Sequence, residues 1–388
     1  MLYDIIIVGL GAVGSATAYQ LSATNKKVLG IDQFQPPHTF GSSHGDTRIT
    51  RQAIGEGSHY VPLVLRSHEI WRELESKVNT ELFRACGGLV FGSSLTNAPA
   101  HGSSSFLEVT VAAAKAFGIE HQVLDCQEMQ QRYPQFHYQG TEIGYFEEGA
   151  GFLRPEKCIA AQLQLAQQQG VELQLNQKVV SIEPNSHNDG VVVKTNTNTW
   201  EAECAIIAAG AWVSELLPAA YQKFFKAYRQ IMLWFEQELP YEKFVPEQCP
   251  IYIKLGETAE EFLYGFPAID GESGGIKIGT EQFADSCTAD TINRNVSADE
   301  VEQGFQRISQ HLKIKNHCIK SVACLYTVTP DYGFAIDTMP GHPQIILASP
   351  CSGHGFKHSA AIGQILQQLA LNQRTDFDIS AFSLSRFV

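Results

Sequence analysis

The sequence predicts an α/β protein in which a Rossmann-like dinucleotide-binding domain is interleaved with a second domain. Three observations predict this class. A β-branched run at 4–9 leads through a glycine-rich turn into a helix and a second strand, which is a βαβ unit of about 30 residues. An apolar strand at 204–213 also runs into a glycine turn. Near the C-terminus, a buried strand at 344–350 precedes a long helix.

Length and composition set the broad class of the protein. The 388 residues suffice for two domains, because domains typically contain about 100–200 residues. A hydrophobic content of 44% with 18% charged residues is typical of a globular chain. The net charge of −13, from 28 basic and 41 acidic residues, argues against a nucleic-acid partner and against an anionic membrane surface. Since no apolar run reaches the roughly 18 residues of a membrane span and no basic leader precedes "MLYDIIIVG", we expect a cytoplasmic protein.

The cysteines predict neither a disulfide framework nor a zinc site. They number nine, an odd count, and extend from Cys86 to Cys351 without a CxxC pair. Most of them are expected to be buried thiols, and we predict no metal ion.

The remaining elements follow from periodicity and from breaker residues. The Pro-, Gly- and Ser-rich stretch at 33–46 predicts an irregular loop, and a hydrophobic period of 3.6 predicts the helices that follow it. The predicted helices are 60–77, 104–117, 154–170 and 297–312. The predicted strands include "GGLVFG", "VELQLNQKVVSIEP", "GVVVKTN", "FLYGFP" and "GIKIG".

The first βαβ unit carries a nucleotide-binding fingerprint. Gly9, Gly11 and Gly14 form the pattern GxGxxG between a strand and a helix, and Asp32 ends the next strand. These glycines allow a tight turn and a close approach of the backbone to pyrophosphate, while the acidic residue can bind a ribose hydroxyl. The fingerprint predicts a dinucleotide and leaves NAD and FAD both open.

Two arginines lie three residues apart in "GDTRITRQ", within an otherwise acidic chain. If this segment were a helical turn, Arg48 and Arg51 would lie on one side of it, whereas in a strand or loop they would diverge. Arginine offers a planar fork that matches a carboxylate, but such a residue alone is more often a solvated surface cation, because charged side chains are mostly exposed.

Three stretches, "PPHTFGSSHGDTRITRQAIGEGSHYVPLVLRS", "CLYTVTPDYGFAID" and "CSGHGFKHSAAIGQILQQLA", resemble the family of monomeric sarcosine oxidase and N-methyl-L-tryptophan oxidase. The resemblance covers nearly the whole chain. It implies an FAD-binding domain made of residues 1–82, 152–216 and 321–388, and a substrate domain with a mixed sheet made of 83–151 and 217–320. It also implies a monomeric oxidase that converts a secondary amino acid to an imine and reduces O₂ to hydrogen peroxide.

The resemblance also assigns residues to the cofactor. It implies that FAD is bound covalently through Cys324 in "VACLYT", with His44 and Asp46 orienting the loop beside it. Lys277 would contact flavin N5 through water and activate O₂, since a buried ammonium stabilises superoxide. Arg48 would add positive charge beside the flavin.

A second group of residues is implied for the substrate. The family resemblance places Arg51 and Lys357 together as a clamp for the substrate carboxylate. Tyr264 and Tyr326 match aromatic positions that line the substrate cavity. The turn at Gly353 and Gly355 is assigned to the cofactor instead: it would feed a helix, with Lys357 in its first turn, whose N-terminus favours the negative charge at the N1–C2=O edge of the reduced flavin. His354 matches a histidine near the flavin ring.

One residue departs from the family pattern. Four residues after Lys277 the family usually has a histidine that borders the amine end of the substrate, whereas this chain has Glu281. Glu281 therefore leaves open an oxidase or dehydrogenase of another amino acid, such as glycine, proline or pipecolate, on the same fold. The βαβ unit alone would also permit an NAD-dependent dehydrogenase, and a flavin-binding protein without activity is a further alternative.

Overall fold

The computed structural model describes residues 2–93, 100–256, 258 and 261–387. The helices are α1 (Ala12–Ser22), α2 (Val61–Val78), α3 (Phe106–Ala116), α4 (Cys126–Arg132), α5 (Pro155–Gln168), α6 (Ala219–Gln222), α7 (Ala298–Ile308) and α8 (Ser359–Ala370). The strands are β1 (Leu2–Val8), β2 (Val28–Ile31), β3 (Arg48–Thr50), β4 (Phe83–Ala85), β5 (Gly88–Gly92), β6 (Gln122–Leu124), β7 (Ile143–Glu147), β8 (Gly151–Leu153), β9 (Glu172–Gln174), β10 (Val179–Pro184), β11 (Val191–Thr195), β12 (Thr199–Ile207), β13 (Lys226–Gln237), β14 (Ile251–Lys254), β15 (Leu263–Gly265), β16 (Ile276–Thr280), β17 (Ser286–Cys287), β18 (Ile314–Val328), β19 (Ala335–Met339) and β20 (His342–Ser349).

An eight-stranded sheet forms the dinucleotide-binding layer. Its main path is β10–β11–β12–β1–β2–β9, with β20 beside β12 and β19 beside β20. The pairs of β1 with β2 and β12, of β2 with β9 and of β12 with β20 are parallel. Helices α5 and α8 pack against α1, and a Cβ atom at Gly363 would lie only 2.6 Å from the carbonyl carbon of Ala16. The predicted Rossmann-like layer is confirmed.

A nine-stranded sheet forms the second layer. Its path is β17–β13–β16–β15–β14–β5–β7–β6, and β18 also pairs with β13. The β14–β5 pair is parallel while the other pairs are antiparallel, so the sheet is mixed, as predicted. Strand β18 runs across the predicted boundary between residues 320 and 321, and the division of the chain into two domains stays a prediction.

A small antiparallel sheet, β3–β8–β4, carries the first of the two arginines. Arg48 opens β3 and Arg51 follows its last residue, so the segment is extended and the two side chains diverge. This excludes the helical-turn arrangement of the two arginines. Arg51 is buried, while Arg48 is partly exposed.

The observed elements differ from the predicted ones in two instructive places. Strands β13 and β18, of 12 and 15 residues, are not among the predicted strands, because their pairing is non-local and leaves a weak periodic signal. Lys357 was expected in the first turn of the long helix. It lies instead in a separate 3₁₀ turn, Phe356–His358, immediately before α8. Among the described residues, no helix is both long and apolar enough to cross a membrane.

Candidate active site

The glycine fingerprint forms a turn that side chains would block. Gly9 has a φ of +90°, and a Cβ atom there would lie 2.5 Å from the Ala208 carbonyl oxygen. A Cβ atom at Gly14 would lie 1.8 Å from the Gly9 carbonyl oxygen. Around Gly11, by contrast, a Cβ atom would meet nothing within 4 Å in the described part of the chain beyond its sequence neighbours. The N-terminus of α1 therefore faces an open cradle suited to a pyrophosphate group.

Asp32 lies at the carboxyl end of β2, beside this cradle. Its Oδ2 accepts a hydrogen bond from the Leu10 amide at 2.7 Å, and its Oδ1 accepts one from the Phe34 amide at 2.8 Å. Both bonds fix the carboxylate at the rim of the cavity, where it can accept a hydrogen bond from a ribose hydroxyl. Burial nevertheless raises the pKa of Asp32 above its ordinary value.

A cavity with an empty volume of about 1390 Å³ extends from this cradle. Its lining includes Gly9, Gly11 and Asp32 from the cradle together with Arg48, Tyr326, Gly353 and Gly355. Glycine is required at position 355, because a Cβ atom there would lie 1.6 Å from the Pro350 carbonyl oxygen. The volume, the cradle and the acidic residue fit a bound FAD; we call this space the nucleotide cavity.

A second cavity, with an empty volume of about 540 Å³, adjoins the first; we call it the substrate cavity. Four residues line both cavities: Arg48, Tyr326, Gly353 and Phe356. The residues that line only the substrate cavity are Ile49, Arg51, Glu56, His101, Phe106, Ile253, Phe262, Tyr264, Phe266, Glu281, His354 and Lys357. The two spaces therefore meet at a junction where a cofactor and a small molecule can contact each other.

Arg51 and Lys357 converge in the substrate cavity on the carboxylate of Glu56. Arg51 Nη2 lies 2.5 Å from Glu56 Oε2, and Lys357 Nζ lies 3.2 Å from Glu56 Oε1. Burial alone would raise the pKa of Glu56, but Arg51 and Lys357 outweigh it and hold this pKa well below its usual range. Burial, opposed by Glu56, lowers the pKa of Lys357 to about 8.

Glu281 follows β16 and is paired with a histidine from a distant segment. Both carboxylate oxygens of Glu281 lie 2.9 Å from Nε2 of His101. Burial alone would lower the pKa of His101, but the contacts with Glu281 and Glu56 raise it to about 9. A Cβ atom at Gly353 would lie 3.3 Å from Glu281 Oε1, so this carboxylate lies close to the junction of the two cavities.

The remaining walls of the substrate cavity are aromatic. The hydroxyl groups of Tyr264 and Tyr326 lie 3.1 Å apart and share a hydrogen bond. The ring of His354 stacks on Phe334, and its Nε2 lies 3.1 Å from the Tyr332 carbonyl oxygen. Burial lowers the pKa of His354 to about 3, so this histidine is neutral.

Three predicted residues lie behind the cavity walls. Lys277 donates from Nζ to the carbonyl oxygens of Gly45 and Thr47 at 2.6 and 2.8 Å, and burial lowers its pKa well below the ordinary value. His44 is buried in the same loop, and its burial lowers its pKa to about 3. Cys324 packs against Met232 and Trp234. None of these three described residues lines either cavity.

The structure thus brings most of the predicted residues to one junction. Arg48, Arg51, Tyr264, Tyr326 and Glu281 join the residues of the turn before α8 around the substrate cavity. Sequence reasoning missed Glu56 and His101. The first carried a weak signal, an acidic residue between two glycines shortly after Arg51. The second carried none, since 180 residues separate it from Glu281.

Comparison with known proteins identifies the family. Residues 4–369 match the family model described as FAD dependent oxidoreductase. The chain belongs to this family. The choice between NAD and FAD is thereby decided in favour of FAD, and the resemblance inferred from the motifs is confirmed by full-length relatives.

Two curated relatives and one solved structure illustrate the similarity. Monomeric sarcosine oxidase of Streptomyces avermitilis is 39% identical, over 99% of this chain and 97% of the relative. N-methyl-L-tryptophan oxidase of Escherichia coli is 36% identical over the whole of both chains. NikD, an unusual amino acid oxidase essential for nikkomycin biosynthesis, has a TM-score of 0.83 at 22% identity, covering 98% of this chain and 97% of its own. This last similarity shows the fold.

Proposed function

We propose that this FAD-dependent oxidoreductase is an oxidase of secondary, N-methyl amino acids such as sarcosine or N-methyl-L-tryptophan. Its products are an imine, which water hydrolyses, and hydrogen peroxide. Full-length relatives with these two names support the substrate class. The observation that carries the proposal is the pairing of Arg51 and Lys357 on one carboxylate beside the junction of the two cavities.

The Glu56 carboxylate shows which chemistry this clamp recognises. One of its oxygens faces the Arg51 guanidinium and the other faces the Lys357 ammonium, as expected for a carboxylate bound between two cations. An amino acid carboxylate would make the same two contacts after displacing Glu56. The clamp therefore fits an amino acid better than a simple amine.

The other residues orient the substrate and exclude water from it. With its carboxylate in the clamp, the amino acid would extend toward Tyr326 and Gly353, which line both cavities. Phe106, Phe262 and Phe266 supply an apolar wall that strengthens every charge interaction inside the cavity. Bound FAD would accept the two electrons of the substrate C–H bond beside the nitrogen as the C–N bond becomes C=N, and O₂ would take up these electrons with two protons as hydrogen peroxide.

Lys277 is proposed as the positive group for the oxygen half of the reaction. Its Nζ atom is buried near Arg48 and donates to two loop carbonyl oxygens, which favour the protonated form although burial and Arg48 lower the pKa. A fixed buried charge of this kind stabilises superoxide, the product of the first electron transfer to O₂. Arg48 adds a second positive charge and is held by the Ser42 and Thr47 carbonyl oxygens.

The test is a peroxide-coupled screen of the purified holoenzyme. Sarcosine, N-methyl-tryptophan and other N-methyl amino acids should yield peroxide and bleach the flavin under anaerobic conditions. Glycine, proline and pipecolate are included because Glu281 replaces the usual family histidine. If none of the N-methyl amino acids reduces the flavin, the proposed substrate class is wrong.

We propose further that FAD is attached covalently through Cys324. This residue precedes Leu325 and Tyr326 on β18, both of which line the nucleotide cavity. The Sγ atom would bond to the 8α-methyl carbon of FAD, and the two hydrogens lost would leave as two electrons and two protons that reduce O₂ to hydrogen peroxide. Cys324→Ser should release its flavin on acid precipitation, whereas Cys351→Ser should retain it. Flavin that stays bound to the Cys324→Ser protein would exclude this attachment site.

The chain is also proposed to act as a monomer, with an amino acid and O₂ as its small-molecule reactants. The name of the Streptomyces avermitilis relative supports this proposal. Light scattering coupled to size exclusion should give a mass near the 42.8 kDa of one chain. A stable dimer mass would contradict it.

A further inference from the structure

His101 is held in an unusual backbone conformation inside the substrate cavity. Its φ is +47°, in the left-handed region that few residues other than glycine adopt, although histidine, like asparagine and aspartate, occurs there more often than most. Its side chain is 8% exposed and touches the rings of Phe262 and Phe106. The bond to Glu281 holds this side chain in place.

The two ring nitrogens of His101 face two different carboxylates. Nε2 lies 2.9 Å from both oxygens of Glu281, whereas Nδ1 lies 3.6 Å from Glu56 Oε1, which is too far for a hydrogen bond. Nδ1 is buried and has no hydrogen-bond partner among the described residues. An unpartnered buried donor next to a carboxylate is costly and indicates a second arrangement in which the bond forms.

We propose that His101 and Glu281 form a positioning pair for substrate binding: Glu281 fixes His101, and His101 receives the Glu56 carboxylate when a substrate carboxylate takes its place between Arg51 and Lys357. This inference rests on the proposed function and adds two residues to it. It also accounts for the acidic residue where the family usually has a histidine.

The displaced Glu56 needs a new cation, because an uncompensated buried carboxylate is strongly destabilising. Arg48 is already bound to the Ser42 and Thr47 carbonyl oxygens. His354 lies 3.9 Å from Glu56, but it is neutral, and donation from its Nε2 to the Tyr332 carbonyl oxygen leaves its Nδ1 without a proton.

His101 meets the requirement that His354 does not. Its pKa of about 9 keeps it protonated at neutral pH, so both ring nitrogens carry a hydrogen. One hydrogen is used by Glu281 and the other points toward Glu56 across 3.6 Å. A small shift of Glu56 away from the clamp closes that distance.

The test is a double-mutant cycle on the holoenzyme, with propionate as the probe. Propionate has a carboxylate and no amine, so its binding can be followed by the change in flavin absorbance without turnover. Dissociation constants are measured for the wild type, His101→Gln, Glu56→Gln and the double variant. Retained flavin and an unchanged melting temperature show that each variant is folded.

The expected pattern is specific to the proposed role. Glu56→Gln should bind propionate more tightly, because the internal competitor has lost its charge. His101→Gln should weaken binding roughly ten-fold or more, the loss of one buried charge-assisted hydrogen bond. In the Glu56→Gln background the same His101→Gln change should alter binding less than about two-fold. Glu281→Gln is a second variant that should reproduce the effect of His101→Gln and serves if that variant does not fold.

An equal effect of His101→Gln in both backgrounds would overturn the inference, since a merely structural histidine would act independently of Glu56. A lack of propionate binding in all four proteins would refute the carboxylate clamp and this inference with it. An error in the proposed substrate class alone would give a different result: propionate would bind as expected, while no N-methyl amino acid would reduce the flavin.

Discussion

Lys357 makes carboxylate binding dependent on pH within a range that is easy to measure. Its ammonium contacts the clamp carboxylate at 3.2 Å, and its pKa of about 8 lies well below the ordinary value of 10.5. Because burial disfavours the charged form, Lys357 is charged below pH 8 and loses its proton as the pH rises above it. Carboxylate binding should therefore be strong on the acid side and weaken on the alkaline side.

The magnitude follows from the charged fraction of Lys357 in the free protein. With a pKa of about 8, roughly nine-tenths of the molecules carry the charge at about pH 7 and one-tenth at about pH 9. The dissociation constant of propionate should rise roughly ten-fold between these values. The other charged groups near Lys357 are Glu56, Arg51 and Glu281. The imidazole of His101, with a pKa of about 9, also loses protons toward the alkaline end of this range, which changes the dissociation constant by at most about two-fold.

The assay is a propionate titration of the holoenzyme, followed by flavin absorbance at several pH values. Lys357→Arg is the matched control, because arginine stays charged throughout this range and should remove most of the pH dependence. Lys115→Met, a change at an exposed lysine of α3, should leave the wild-type profile intact. A wild-type affinity that is constant from pH 7 to pH 9, or a Lys357→Arg profile as steep as the wild type, would refute the reasoning.

Two further predictions concern the oxygen reaction and the cofactor. Lys277→Met should slow reoxidation of the reduced flavin by roughly a hundred-fold, the typical loss on removing one electrostatic stabiliser, while stopped-flow reduction by substrate stays largely unchanged. Equal slowing of both half-reactions would contradict this role. Gly11→Ala should fold normally but retain less FAD, because its Cβ atom enters only the open cradle. Gly14→Ala should lower the melting temperature as well, since its Cβ atom would lie 1.8 Å from a backbone oxygen; equal melting temperatures would contradict this difference.

The parts of the site that the sequence predicted are those carried by local patterns. The glycine turn with Asp32 needs a strand, a turn and a helix in immediate succession, and "GDTRITRQ" and "SGHGFKHS" are compact motifs with a specific family resemblance. Cofactor class and the positions of Arg51 and Lys357 beside the cavity could be anticipated from them. The covalent linkage and the cytoplasmic location stay predictions.

The parts that escaped prediction depend on contacts between distant segments. His101 meets Glu281 across 180 residues, and no local period or spacing marks such a pair. Strands β13 and β18 pair over most of their length, yet their sequences do not alternate regularly between apolar and polar residues. In β18 much of the strand is exposed, so few of its positions require an apolar residue. Lys357 entered a 3₁₀ turn because Gly353, at a φ of +83°, and Gly355, which touches Pro350, bend the chain before α8 can start.

If the substrate carboxylate displaces Glu56 as proposed, Glu56 acts on the clamp as a tethered ligand with a fixed effective concentration. It then weakens the apparent affinity for every incoming carboxylate by the same factor, so the affinity for the amino acid product falls as much as the affinity for the substrate. Residence times in the cavity shorten accordingly, which favours turnover wherever product release limits the rate. Between catalytic cycles the resident side chain would also offset one of the two buried positive charges, so the empty clamp would attract stray anions less strongly.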